Sequence, residues 1–204
     1  MIDQVLRKPK EKYFAPLAKR LSTLNPNRLS IIAFGIGLLA VICIFLRLYY
    51  IALFLWLLNR ALDGLDGEVA RAHNKQTDWG GYLDIMLDFI IYALIPIALV
   101  YKNPSDSKYF ALSILLASFY INAGSWMYLS ALIEKRAHSL DKNNQKTSIN
   151  MPCGLIEGFE TIIFYCLFIL FWPYINILFF IMAALMLITI AQRMLWAKKN
   201  LRKL

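Results

Sequence analysis

Charged side chains are scarce in this sequence. Asp, Glu, Lys and Arg make up 17% of its 204 residues, against about 25% in a typical soluble domain, which argues against an ordinary water-facing surface. Cysteine is scarcer still. Cys43, Cys153 and Cys166 are odd in number and two lie inside apolar stretches, so they read as free thiols and imply neither a disulfide framework nor a zinc site. There is no internal repeat and no low-complexity segment. Up to Arg28 the chain is basic and polar and lacks the short apolar segment and cleavage site of a removable signal peptide, so none is expected.

What is abundant is apolar. Hydrophobic residues reach 59%, where a soluble domain has about 45 to 50%, and the mean hydropathy is +0.54. Uncharged runs extend over eighteen residues from Leu29 to Leu46, twenty-five from Tyr109 to Ile133 and thirty-two from Thr161 to Gln192. A bilayer core takes about 20 apolar residues per helix, so the last run holds nearly two spans. Trp172-Pro173-Tyr174 breaks it, because proline removes a backbone donor. Two further spans, Leu48 to about Arg71 and about Gly80 to Tyr101, are interrupted by charge. The expectation is an all-α integral membrane protein with six transmembrane helices.

Its division is residues 1–28 as a cytoplasmic N-terminal interfacial segment, 29–197 as the six-helix transmembrane domain and 198–204 as a basic cytoplasmic tail. Leu6, Tyr13, Phe14, Leu17 and Leu21 among the early charges suit an amphipathic helix lying along the interface. Loops are expected near Asn103 to Ser107 and Ala137 to Met151. The net charge of +9 raises the question of nucleic acid. With the N-terminus in the cytoplasm, however, eighteen basic residues fall on that side and three, Arg47, Lys102 and Lys108, on the other. Membrane orientation therefore accounts for the charge, with both termini cytoplasmic and no nucleic-acid partner.

Ionisable groups inside a span cost at least about 2.5 kcal/mol each at the helix centre, yet Asp63, Asp66, Asp84 and Asp88 all fall within the second and third spans. On a helix Asp63, Asp66 and Ala70 share a face, with Gly67 and Arg71 beside them; Asp84 and Asp88 are one turn apart, with Gly80 one turn earlier. If the two helices pack side by side the carboxylates converge. Four together repel unless cations neutralise them, and hard oxygen ligands suit two Mg²⁺ or Mn²⁺ ions. Arg71 offers a planar donor fork suited to phosphate.

The pattern Asp63-x2-Asp66-Gly67-x2-Ala70-Arg71-x8-Gly80-x3-Asp84-x3-Asp88 resembles the signature of the CDP-alcohol phosphotransferase (CDP-alcohol phosphatidyltransferase class I) family at every fixed position. Pro26-Asn27-Arg28-Leu29-Ser30 is similar to the Pro-Asn-x-x-Thr that begins the family's first span, with Ser in place of Thr. The resemblance implies a membrane enzyme, a homodimer, that transfers a phosphatidyl group from a CDP-linked lipid such as CDP-diacylglycerol to an alcohol and releases CMP. It implies that Asp63, Asp66 and Asp84 hold metal, Asp63 and Asp84 being shared between both ions, and that Asp88 is the general base and a ligand of the second ion. It further implies that Asn27, Arg28, Leu29, Ser30, Gly67, Arg71 and Thr77 contact the CDP portion, while Ala70 and Gly80 leave room for it.

Arg136, Lys146 and Arg193 are candidates to bind an anionic acceptor. Glu157 and Glu160 read chiefly as helix-start acids, His73 and His138 as solvated imidazoles, and Arg60 as one member of a structural ion network. A prenyltransferase-like Mg²⁺-dependent enzyme and a divalent-cation carrier are the competing functions. The first would bring two separated Asp-rich motifs and a longer chain, and the second has no need of the nucleotide-shaped recess that Gly67, Ala70, Arg71 and Gly80 suggest.

Overall fold

The computed structural model describes residues 24–141 and 154–201 together with Pro16, Ala18 and Leu21, the side chains of 137–141 excepted. Most of the N-terminal interfacial segment thus lies outside the described residues. Among those described there is no strand, and six helices exceed twelve residues: α1 (Pro26–Phe45), α2 (Tyr49–Ala72), α3 (Asp78–Tyr101), α4 (Asp106–Asp141), α5 (Gly158–Leu170) and α6 (Ile175–Leu201). A 3₁₀ turn, Trp172–Tyr174, separates the last two, at the break that Pro173 marks in the sequence.

Local chemistry sets the helix starts. The Asn25 side chain accepts from the Asn27 N–H at 3.0 Å and Pro26 follows as the first helical residue, where its missing donor costs nothing. Thr77 caps α3 through the Gly80 N–H at 3.0 Å. Glu157 and Glu160 form a reciprocal capping box at the start of α5, so the two acids serve the helix end. α4 runs on to Asp141, beyond the expected loop boundary, because Glu134-Lys135-Arg136-Ala137 holds good helix formers and neither Gly nor Pro.

Among the described residues four helical stretches are long and apolar enough to cross a membrane: Pro26–Phe45, Asp78–Tyr101, Asp106–Arg136 and Trp172–Leu201. α2 is as long as α3 but carries the charges. α5 has 13 residues, about 20 Å at 1.5 Å per residue, against a hydrocarbon core of about 30 Å. Large apolar side chains such as Ile31, Ile32, Phe54 and Phe110 face outward, an arrangement suited to lipid.

α1 packs along both α2 and α3, α4 packs along α6, and α5 touches α2, α3 and α6. The core tying these groups together is aromatic. Trp56 of α2 stacks on Tyr165 of α5 at 5.1 Å, and the Tyr165 hydroxyl donates to the Tyr92 carbonyl of α3. Phe168 meets Phe179 edge-on at 4.8 Å, both fully buried, whereas Phe171 and Tyr174 are exposed. The aromatic residues of the last run therefore divide between core and periphery.

Candidate active site

The level of the Trp56–Tyr165–Tyr92 contact fixes what lies opposite what. Seven residues onward along α2 is Asp63, eight back along α3 is Asp84, and seven back along α5 is Gly158, each about 10 to 12 Å away in the same direction. Glu157 at the start of α5 therefore comes level with the aspartates. The five-residue connection between α2 and α3 turns with Asn74 at φ 53°, a left-handed conformation that Asn tolerates better than most residues.

The two acidic helices do not meet the condition of close side-by-side packing on which the sequence reading made convergence depend. Both lie on α1 and leave a gap between their own backbones. That gap gives the carboxylates room. One oxygen each from Asp63, Asp66 and Asp84 lies within 4.8 Å of the other two. Asp66 is buried, and the Ser30 hydroxyl of α1 donates to its Oδ2 while also standing 3.2 Å from the Pro26 carbonyl oxygen. Three hard anionic donors converging at this spacing fit a divalent cation such as Mg²⁺.

Asp88, one turn deeper, falls outside this triad and is gripped by Arg60. The guanidinium reaches Asp88 with both ends of its fork, Nη1 to Oδ2 at 3.0 Å and Nη2 to Oδ1 at 2.6 Å. It also contacts the Tyr92 hydroxyl at 3.0 Å, Asp63 Oδ2 at 3.5 Å and, through Nε, Asn59 Oδ1 at 2.8 Å. Asn59 is itself anchored by its Nδ2 on the Ala33 carbonyl oxygen. The cation lies over the Trp56 and Tyr92 rings, 4.8 and 5.1 Å from their centroids.

Beside the triad opens a cleft of about 250 Å³ whose walls include Asn27, Ser30, Asp66, Gly67, Ala70, Arg71, Thr77, Gly80 and Asp84. Asp63 and Asp88 border a narrower crevice, which shares Ser30 and Asp84 with the cleft. Gly80 allows a close approach: a Cβ there would stand 2.9 Å from Asn27 Oδ1 and 3.0 Å from Thr77 Oγ1. The half-exposed Arg71 guanidinium lies over Gly67 and holds Glu68 Oε1 at 2.8 Å. Two of the expected nucleotide contacts are elsewhere. Arg28 points outward, and Leu29 is buried with Ala18, Leu65 and Val69. Pro26, Gly81, Lys75 and Gln76 also line the cleft; Lys75 and Gln76 escaped the sequence reading because the path of a connection carries no periodic signal.

Of the three basic candidates for the acceptor, Arg136 and Arg193 do not line the cleft. Arg193 is buried, with Nη1 on the Asn122 carbonyl oxygen at 3.1 Å and Asn122 Oδ1 at 3.0 Å. Arg136 caps the end of α6 through the Leu201 carbonyl oxygen at 3.1 Å, and its Nη1 is buried without a hydrogen-bond partner among the described residues. Lys146 lies outside the described residues. One turn before Arg193, Thr189 Oγ1 accepts the Leu155 and Ile156 N–H groups at 3.1 Å each. The chain presses so close there that a Cβ on Gly154 would sit 2.2 Å from Thr189 Cγ2. His73 is not simply solvated: its Nε2 stands 2.9 Å from the Ala18 carbonyl oxygen. The His138 side chain lies outside the described residues.

A sequence model of the CDP-alcohol phosphatidyltransferase family matches residues 23–198. The chain is 40% identical over 149 residues to inner membrane protein YnjF of Escherichia coli, covering 72% of this chain and 70% of that protein. It is 34% identical over 96 residues to the bifunctional IPC transferase and DIPP synthase of Archaeoglobus fulgidus, 45% of this chain but 19% of that protein. The fold is similar to the crystal structure of Mycobacterium tuberculosis phosphatidylinositol phosphate synthase with CDP-DAG bound, at a TM-score of 0.64 and 19% identity over 90% of this chain and 92% of that one.

Proposed function

The chain belongs to the CDP-alcohol phosphatidyltransferase family, as a multi-pass membrane enzyme of phospholipid biosynthesis, and from this we propose that it transfers the substituted phosphoryl group of a CDP-linked lipid such as CDP-diacylglycerol to an alcohol, releasing CMP. The observation that carries this reading is the junction of the aspartate triad with a cleft walled by Asn27, Ser30, Gly67, Ala70, Arg71, Thr77 and Gly80. A cation carrier has no use for such a recess.

Asp63, Asp66 and Asp84 would hold a divalent ion, Mg²⁺ or Mn²⁺, which supplies neutralisation of the phosphate oxygens and polarisation of the phosphorus. The cleft residues receive the CDP portion, with Arg71 directing its donor fork at phosphate. Asp88 accepts the proton of the acceptor hydroxyl as that oxygen attacks the phosphorus bearing the lipid alcohol. The bond to CMP breaks as the new phosphodiester forms, and no covalent enzyme intermediate is needed. Six spans with both termini in the cytoplasm, in a homodimer, would set the cleft at the cytoplasmic edge. There a soluble nucleotide head and a lipid tail can be held together.

The acceptor side lies towards α4, α5 and α6. Arg193, one turn beyond the Thr189 clamp that seats Gly154-Leu155-Ile156, supports an anionic alcohol as acceptor, with Arg136 and Lys146 as further basic groups. The test is purified protein with CDP-diacylglycerol, Mg²⁺ and a panel of alcohols. CMP release that depends on an acceptor supports the reading, and no release with any alcohol, together with no thermal stabilisation by CMP, refutes it. Charge-neutral substitutions at Arg136, Lys146 and Arg193 should raise the acceptor KM and leave the donor KM alone. A best acceptor that is serine or choline-like would overturn the anionic-acceptor part and leave the metal reading standing.

A further inference from the structure

Arg60 is more than one member of a structural ion network. Its side chain is 6% exposed, closed in by Trp56, Tyr92 and Asn59, so the cation cannot swing to water. It also bridges Asp88 and Asp63, the latter with a longer contact at 3.5 Å. Those two carboxylates are ones that the sequence likeness would assign to a second metal ion. Both Asp88 oxygens already accept from the guanidinium fork. A second ion on Asp88 would bind about 2.1 Å from an oxygen that Arg60 nitrogens hold at 2.6 or 3.0 Å. Two cations would then share one carboxylate in a poorly screened interior. Displacing Arg60 is no easier, since a buried guanidinium that loses Asp88 keeps its charge and loses its main counter-charge.

We propose that Arg60 takes the place of a second metal ion, as a fixed cation, so that the site binds one divalent ion on Asp63, Asp66 and Asp84 and keeps Asp88 apart as an oriented carboxylate. Arg60 is then a positioning residue. It aims Asp88 and supplies, without dissociating, part of the positive charge a second ion would bring. This rests on the reading that the triad holds metal, and the experiment separates the two claims.

Mn²⁺ alone is titrated into the full chain in detergent, and bound ions are counted by electron paramagnetic resonance. The wild type binds one ion per chain with no coupling between manganese ions. Arg60→Gln frees Asp88 and Asp63 and raises the count to two, with the line broadening of a coupled pair, whereas Arg60→Lys keeps a cation and stays at one. Asp88→Asn leaves the wild-type count at one and decides the matter even if Arg60→Gln does not fold. A wild-type count of two that Asp88→Asn lowers to one overturns the proposal, as does a folded Arg60→Gln that still binds one. If Asp63→Asn and Asp84→Asn each still bind an ion as the wild type does, the triad reading itself fails.

Discussion

Two adjacent glycines at the start of α3 should respond to the same methyl group in opposite ways. Gly80 and Gly81 are the third and fourth residues of the helix. Alanine in place of glycine gains up to about 1 kcal/mol of helix propensity at either position. At Gly81 nothing lies within 4 Å of the added carbon, so Gly81→Ala should keep that gain. At Gly80 the carbon meets Asn27 Oδ1 at 2.9 Å and Thr77 Oγ1 at 3.0 Å, the oxygen that caps the helix. Turning Thr77 away forfeits a cap of about 0.5 to 2 kcal/mol, and moving Asn27 disturbs a wall of the cleft. Gly80→Ala should thus be less stable than Gly81→Ala by about 1 to 2 kcal/mol, or roughly 2 to 8 °C in melting temperature for a chain of this size. Its CMP affinity should also fall, by about tenfold if one hydrogen bond is lost. The assay is thermal unfolding of both variants in one detergent at one scan rate, with and without CMP. Equal melting shifts for the two variants, with unchanged CMP affinity in Gly80→Ala, would refute the close packing inferred at Gly80.

Ser30→Ala removes the hydroxyl that donates to Asp66 and should weaken Mn²⁺ binding by about 10 to 100-fold, the usual effect of losing a ligand's own hydrogen-bond partner; Ser30→Thr should stay near wild type in the same titration. Thr189→Val orphans the Leu155 and Ile156 N–H groups, each costing about 1 to 3 kcal/mol, and should show as a lower melting temperature and faster proteolysis near residue 154. Removing divalent metal with a chelator should abolish CMP release, and adding back Mg²⁺ or Mn²⁺ should restore it, while far-ultraviolet circular dichroism reports an unchanged helix content.

The convergence of Asp63, Asp66 and Asp84 was legible because helical periodicity puts residues three or four apart on one face. The break at Pro173 was legible for an equally local reason. Other features depend on partners distant in sequence. Ser30 read as a nucleotide contact and does line the cleft, but nothing local revealed that its hydroxyl also serves Asp66, thirty-six residues away. Arg60 stood out as a buried charge, but nothing in its spacing revealed that Asp88 would take both ends of its fork. The role of α1 as the platform for both acidic helices was hidden as well, since an almost uniformly apolar helix does not disclose which of its faces meets protein and which meets lipid.

Among the described residues the cleft walls all come from residues 26–84, and α1, α2 and α3 precede any residue of α4, α5 or α6. Chains emerge from the ribosome N-terminus first, so these cleft walls are synthesised before α4, α5 and α6, towards which the proposed acceptor side lies. On the proposed division into a donor and an acceptor side, the two are exchangeable: substituting α4 to α6 from a relative with another acceptor should alter which alcohol is used and leave the described cleft walls, from one unbroken stretch of chain, in place.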